Sequence, residues 1–321
     1  MKKSCTKCGS TNVQKYGYTR TGAQRYQCLH CQNTYTWQNR INKYKQQQIW
    51  FRYWIQEGFN MRQLSCLSGY SPAKIKRIKT YWLNQSVPSI QYDLSQYKYL
   101  LLDGTYFKHE HCLLVFMDSP SCQIIGQLYT VRENYETVLQ MAQNLKGQGL
   151  DPVSITLDGH QRVIRALREV WPQVKIQRCL YHIEHQGQMW LRTYPKTQAG
   201  KALKQLLNGL AHIGTQEGKD LFDRYYQYVR QEYEVFIKQL SSKTVGEKDV
   251  KKALSLINNA YKDMWYFLED NNIPSTNNKL EGYFSELKQQ YRKHKGLSKA
   301  HRESYLKWYI YYRNTSKTNT F

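Results

Sequence analysis

Apolar positions fall into three regimes along the chain. Over residues 39–85 they recur at helical spacing. A first helix carries Ile49, Tyr53 and Trp54 and ends near Gly58, and a short second one over 61–68 precedes Gly69. Ser71-Pro72 supplies an N-cap and first-turn proline for a third helix over 73–83. Ile75, Ile78 and Trp82 are expected inward there, leaving Lys74, Arg77 and Lys79 outward. From residue 97 the pattern changes to short apolar runs bounded by turns, which predict strands at 97–102, 111–117 and 122–129. A further strand closes on Asp158 and a short one lies around 174–177, with helices over 135–145 and 161–170 between them. Helical spacing returns from 180 to 272, and a basic, aromatic segment, 288–321, carries Trp308, Tyr309, Tyr311 and Tyr312 on a final helix.

This order implies a domain plan. A short helix, a glycine turn and a basic helix form the helix-turn-helix arrangement, whose second element enters the major groove of DNA. Three strands in a meander, then alternating helix and strand, is the order of a ribonuclease-H-like α/β core. The helical block reads as an all-helical insertion into that core. The expected boundaries are 1–38, 39–85, 96–180 for the first part of the core, 181–272 for the insertion, and 273–321 for its C-terminal part.

Charge sharpens the picture. The formal net charge is +23, and residues 1–92 hold fifteen Lys or Arg against a single acid, Glu57. A basic front third interleaved with Tyr and Trp suits a polyanion, because neutralised phosphates release counterions. No apolar stretch approaches the ~20 residues a membrane span needs, and the polar N-terminus argues against a signal peptide. A cytoplasmic, nucleoid-associated protein is expected.

Cysteine spacing is the strongest single motif. Cys5-x-x-Cys8 and Cys28-x-x-Cys31 stand nineteen residues apart, with a short hairpin between them turning at Thr21-Gly22. Each pair offers two thiolates, so the four complete a tetrahedral zinc site with no open position, structural and not catalytic. A core of 38 residues needs such a staple. The other four cysteines lie in apolar or motif contexts, which fits a reducing compartment.

Candidate catalytic chemistry rests on three carboxylates. Asp103 and Asp158 each close an apolar run and precede glycine, while Glu281 opens a capped helix for which Thr276 or Asn277 can serve as cap. Two strand-end aspartates and a helical glutamate suit a site for two hard cations ~4 Å apart, Mg²⁺ or Mn²⁺, acting on phosphodiesters. The competing reading is that Asp-Gly simply makes turns. Glu286 is expected on a more exposed side, and Asp118 at the opposite end of the sheet as a turn residue. His160 either contacts phosphate or caps its helix. Arg162 and Arg165 are phosphate-contact candidates.

Four pieces together resemble the DDE transposases of the Mutator-like branch of bacterial insertion sequences, in the variant that begins with a zinc ribbon. They are Leu102-Asp103-Gly104-Thr105-Tyr106, Asp158-Gly159-His160-Gln161, Gln177-Arg178-Cys179-Leu180-Tyr181-His182-Ile183, and Ser275-Thr276-Asn277-Asn278-Lys279-Leu280-Glu281. With the ribbon and the helix-turn-helix, the resemblance covers nearly the full length. It implies an RNase-H-like core, Mg²⁺-dependent cleavage and strand transfer at inverted-repeat ends, and a metal-binding triad of Asp103, Asp158 and Glu281. The Cys179-x-x-His182 pair matches a motif of that family. On its own it is half a zinc site, a hydrogen-bonding support or buried packing, the supporting role being preferred. Double-stranded DNA is the expected partner, with a homodimer or larger assembly holding two element ends. A catalytically silent DNA-binding regulator and a structure-specific nuclease or resolvase are the alternatives.

Overall fold

A computed structural model describes residues 4–20, 22–36, 40–107, 111–294 and 296–318. The expected hairpin-turn residue Thr21, the 37–39 junction and the last three residues lie outside that set. Two compact units are present, residues 1–85 and 86–321.

In the first unit, β1 (Val13–Tyr18), β2 (Gln24–Cys28) and β3 (Thr34–Thr36) form an antiparallel sheet in that order. Each Cys-x-x-Cys closes a tight turn, Gly9 N–H donating to the Cys5 carbonyl at 3.0 Å and Gln32 N–H to that of Cys28 at 2.9 Å. Three helices follow: α1 (Arg40–Gln56), α2 (Met61–Ser68) and α3 (Pro72–Leu83). Asn60 and Gln63 make a capping box at the start of α2, and Gly69 ends it in the left-handed conformation that a residue with a Cβ resists. Ser71 caps α3. Phe51, Trp54 and Ile55 of α1 are buried, as are Leu64, Ile75, Ile78 and Leu83. The expected inner stripe of α1 is therefore corrected: Ile49 and Tyr53 are 51% and 41% exposed. Their bulk made them look internal, but the 3.6-residue period that buries Phe51, Trp54 and Ile55 turns them outward.

The second unit is built on β4 (Tyr99–Phe107), β5 (His111–Asp118), β6 (Ile124–Thr130), β7 (Ser154–Leu157) and β8 (Lys175–Arg178), in the order β6-β5-β4-β7-β8. The first three are an antiparallel meander, and β4–β7 and β7–β8 pair in parallel. Consequently β4, β6, β7 and β8 run the same way and end at the same edge. Leu100, Leu102, Leu114, Phe116, Ile155, Leu157 and Ile176 pack against α4 (Tyr135–Gly147) and α5 (Gln161–Val170).

After β8 come α6 (Leu180–Leu191), α7 (Gln198–Leu207), α8 (Gln216–Gln239), α9 (Val245–Ala260) and the single-turn α10 (Tyr266–Glu269), which enclose a core of their own. The chain then returns to the sheet. Thr156 Oγ1 donates to the Pro274 carbonyl at 2.8 Å, and Leu180 N–H to that of Ser275 at 3.0 Å. Buried Asn277 donates through Nδ2 to the Leu102 carbonyl at 3.3 Å. This seam fixes α11 (Asn278–Arg292) against β4. The last helix, α12 (Lys299–Thr318), buries Tyr305, Trp308, Tyr309, Ile310 and Tyr312. Its Asn314 bonds both backbone groups of Ile124 in β6, at 3.2 and 2.8 Å. No helix among the described residues is long and apolar enough to cross a membrane.

Candidate active site and cysteine centre

The four cysteine sulfurs lie within 4.8 Å of one another. Cys5–Cys31 and Cys8–Cys28 are each 3.6 Å apart. Four thiolates at the usual ~2.3 Å from one zinc would be about 3.8 Å apart, so the spacing fits a tetrahedral ion and is far too long for a disulfide. Hydrogen bonds from backbone N–H groups, that of Cys8 foremost, bring the Cys5 thiol down to about 6, and the N–H of Cys31 lowers Cys28. Such N–H···S bonds favour the thiolate form a metal needs. All eight cysteines are free.

At the edge where four strands end, the carboxylates gather. Asp103 lies inside β4, not at its end as its Asp-Gly sequence suggested. Parallel pairing with β7 stops at Leu101–Thr156, whereas the ladder with β5 continues through Asp103–Val115 to Phe107–His111. Asp103 thus emerges just past the parallel part of the sheet, while the hairpin partner carries the strand on. Asp158 follows β7, and its Oδ1 accepts the His160 N–H at 2.9 Å. That bond replaces a histidine cap: His160 occupies the N-cap position of α5 without a side-chain capping bond. Glu281 sits in the first turn of α11, with Oε1 3.4 Å from His182 Nε2. A cleft of about 470 Å³ is lined by Asp103, Glu281, His182, His185, Lys288 and Arg292.

Burial, then the charges of Asp158 and Glu281, push Asp103 up to about 7, against the opposing bond from Gly104 N–H at 2.7 Å. A fourth carboxylate, which the sequence pattern did not reveal, is raised with it. Glu133 lies between β6 and α4, and burial, then Asp158 and Asp103, push it up to about 8. Its Oε2 comes within 2.6 Å of where a Cβ on Gly104 would stand, so this glycine is needed for close approach, not for a turn. The available signal was its place after a strand that ends at the same edge as Asp103. The donor set fits a hard divalent cation: oxygen ligands of like charge, raised proton affinity at Asp103 and Glu133, and a buried Glu281 Oε1 with no hydrogen bond. The three carboxylates do not form a ligand group as tight as the cysteines, the single such group among the described residues.

The remaining candidates are placed as follows. Cys179 is fully buried, burial pushes its thiol up to about 11, and its sulfur accepts the Asn277 N–H at 3.3 Å. His182 faces Glu281 instead of pairing with a second cysteine. Asn277 stands at the cap position of α11 but does not cap it, because its side chain is taken by Leu102. Glu286 pairs with Arg313 at 2.7 Å, and Asp118 accepts the N–H and hydroxyl of Ser121 in a turn, both as expected. Arg77, Arg162 and Arg165 are exposed, and Arg165 lies over the Tyr135 ring. Lys74 Nζ sits 3.3 Å from the Tyr70 ring centre. Lys79 corrects its expected outward position, being half-buried 5.2 Å from the Trp54 ring with its pKa lowered by burial. Its long stem covers the apolar face while its position on the helix reads as polar.

Fold and site together define a mixed α/β protein with a cysteine cluster able to hold zinc and a carboxylate-bearing cleft at a sheet edge. The family model for Transposase, Mutator family, matches residues 69–297, and the chain belongs to that family. It is 28% identical over 152 residues to the transposase for insertion sequence element IS6120 of Mycolicibacterium smegmatis, covering 44% of this chain and 47% of that protein. It is 29% identical over 131 residues to the transposase for insertion sequence element IS1201 of Lactobacillus helveticus, covering 36% and 34%. The matches thus span less than half of either relative. One solved structure, a simian T-cell lymphotropic virus intasome in complex with PP2A regulatory subunit B56 gamma, overlaps 65% of this chain and 68% of that one. At 14% identity and a TM-score of 0.23 that overlap is too loose to bear on the fold.

Proposed function

We propose that this chain is an insertion-sequence transposase that binds the inverted-repeat ends of its element and cuts and joins DNA strands with Asp103, Asp158 and Glu281. The observation that carries the reading is that Asp103 and Glu281, from distant parts of the chain, line one cleft while Asp103 also feels the charge of Asp158, within a family of transposases. The shared direction of β4, β6, β7 and β8 supports an RNase-H-like core, with 181–272 as its helical insertion. Two Mg²⁺ or Mn²⁺ ions, when bound, would supply activation of the attacking oxygen and support of the leaving one. Asp103 and Asp158 hold the charge from two strands, Glu281 closes the site from α11, and Glu133 adds a fourth oxygen donor. Cys179 and His182 act as positioning residues, one tying the start of α11 and the other orienting Glu281. Residues 1–38 with their zinc, and 39–85 as a helix-turn-helix, grip DNA with Lys74 and Arg77, while Arg162 and Arg165 contact phosphate. A dimer or larger assembly would hold both ends.

The test is strand transfer by the full-length chain with Mg²⁺ on duplexes carrying the inverted repeats that flank its coding region. Transfer restricted to those ends is expected. Binding without any product identifies a silent regulator, and cutting of branched DNA regardless of end sequence identifies a nuclease. In the same assay His182→Ala should lower the cleavage rate about 10- to 100-fold at saturating Mg²⁺, with DNA affinity unchanged. An unaltered rate removes the positioning role.

Cation binding should depend on pH with a definite sign. Asp103 and Glu133, at about 7 and about 8, hold protons in neutral solution that a cation must displace. Mn²⁺ affinity in calorimetry should therefore rise from pH 6 to 8.5, by about tenfold per pH unit for each displaced proton, and level off above. A flat profile would mean these carboxylates are not ligands.

A further inference from the structure

Beside Asp158 lies a second cleft, of about 410 Å³, between the end of the sheet and the helical block. One wall is Gly159, Gln161 and Arg178; the other is Trp190 of α6 with Lys251 and Lys252 of α9. Arg178 is 3% exposed. Register opposite Leu157 brings its side chain back across the Asp158–Gly159 turn, where Nε donates to the Asp158 carbonyl at 3.2 Å. That is the side chain's single hydrogen bond among the described residues, and it makes no ion pair within 4 Å there. Against burial, the charges of Asp158 first and Asp263 second favour its cationic form, and Asp263 is also paired with Arg168 at 2.9 Å. A guanidinium carries five donors in a planar fork, and one hydrogen bond leaves most of that fork open to a further acceptor in the cleft. Gly159 is shaped for this cation: its φ is +116°, and a Cβ there would stand 1.9 Å from an Arg178 nitrogen.

The opposite wall is basic as well. Lys252 stands 5.6 Å from the Trp190 ring and 3.2 Å from Asp249, while Lys251 donates to the Leu240 carbonyl. Three cations, one of them on a largely buried side chain that makes a single hydrogen bond, converge on a groove adjoining the carboxylate edge.

We propose that Arg178, with Lys251 and Lys252, forms a phosphate-binding subsite for the DNA backbone, so that the helical block and the core grip one strand together beside Asp158. The subsite rests on the transposase reading, since its ligand is DNA. No bond is made or broken in it; it would set the register of the strand that enters the carboxylate cleft.

The experiment measures affinity of the full-length chain for a terminal-repeat duplex across KCl concentrations, without divalent cation. Single methylphosphonates, which remove one phosphate charge, are placed in turn along the strand. In the wild-type chain one or two adjacent positions should weaken binding about 10-fold. Arg178→Gln should weaken binding to unmodified DNA by a similar factor, lower the salt slope by about one, and become indifferent to methylphosphonate at those positions. Lys252→Gln, on a surface position, should blunt the same positions and keeps the test decisive if Arg178→Gln lowers the melting temperature. A purely structural Arg178 predicts a lower melting temperature with wild-type salt slope and methylphosphonate profile, and that result, or a profile untouched by Lys252→Gln, overturns the subsite. DNA binding that persists in such a case leaves the transposase reading standing. Absence of any DNA binding at low salt removes both.

Discussion

Asp103→Asn should abolish strand cleavage, by at least about 10³-fold, while end binding stays within a few-fold of wild type. The magnitude follows from the several kcal/mol that a properly held cation contributes to transition-state charge. The separation of effects follows because Asp103 belongs to the second unit, whereas the basic first unit is the one proposed to hold the repeat. Asp158→Asn and Glu281→Gln should behave alike, and retained cleavage in any one takes that residue out of the triad.

A second readout separates electrostatics from misfolding. Asp103 titrates at about 7 in the folded chain, above the ~3.9 of an unfolded aspartate. Between those values the folded state binds the extra proton, so stability falls as pH rises through the window and the penalty is complete above it. Asparagine removes that repulsion. Without divalent cation at pH 8, the variant should therefore melt higher than wild type, by about 2–4 °C for each kcal/mol relieved in a unit of this size. At pH 4 the difference should vanish. A variant that is both inactive and destabilised at pH 8 would point to a structural role for Asp103.

Cys5→Ser, or removal of the ribbon zinc by a chelator, should unfold residues 4–36 and leave the melting of the second unit unchanged. Three short strands bury Cys5, Tyr26 and Cys28 and little else, a core too small to offset chain entropy without a metal. Residues 1–38 hold six Lys or Arg and no acid. If they neutralise phosphates of the repeat, the salt slope should fall by about 0.9 for every phosphate that the unfolded ribbon no longer reaches. Affinity for the repeat should fall at least about tenfold at moderate salt, with the difference shrinking as salt rises. Full binding by the metal-free chain would remove the ribbon from DNA recognition. Loss of cleavage on a pre-nicked end that needs no ribbon would show the two units to be coupled.

Local signals were strong where chemistry and spacing coincide within a few residues. The cysteine knuckles, the Ser71 cap, Gly69 after α2 and the extent of α5 were legible because each depends on neighbours in the chain. Where a residue's role depends on what lies across from it, the sequence misled. Asp103 read as a strand end because glycine follows it, yet β5 continues the strand past both. Asn277 is, beside Thr276, a candidate helix cap by sequence, yet the Leu102 carbonyl claims its side chain. Ile49 and Lys79 had the right helix and the wrong face.

What the sequence alone determined is the alphabet of the site: four thiols at zinc spacing, acids beside glycines, a helical block between the second aspartate and the glutamate. What only the tertiary structure decided is which of these meet. Four strands running one way bring Asp103, Glu133, Asp158 and Arg178 to a single edge. A seam through Thr156, Cys179, Asn277 and Leu102 returns Glu281 to that edge across 123 positions of chain. Strand direction and that seam are set by pairing between distant segments. Glu133 and Arg178 therefore carry no local mark of their charge environment. The raised proton affinity of Glu133 and the burial of Arg178 arise only when folding removes water and places like and unlike charges side by side.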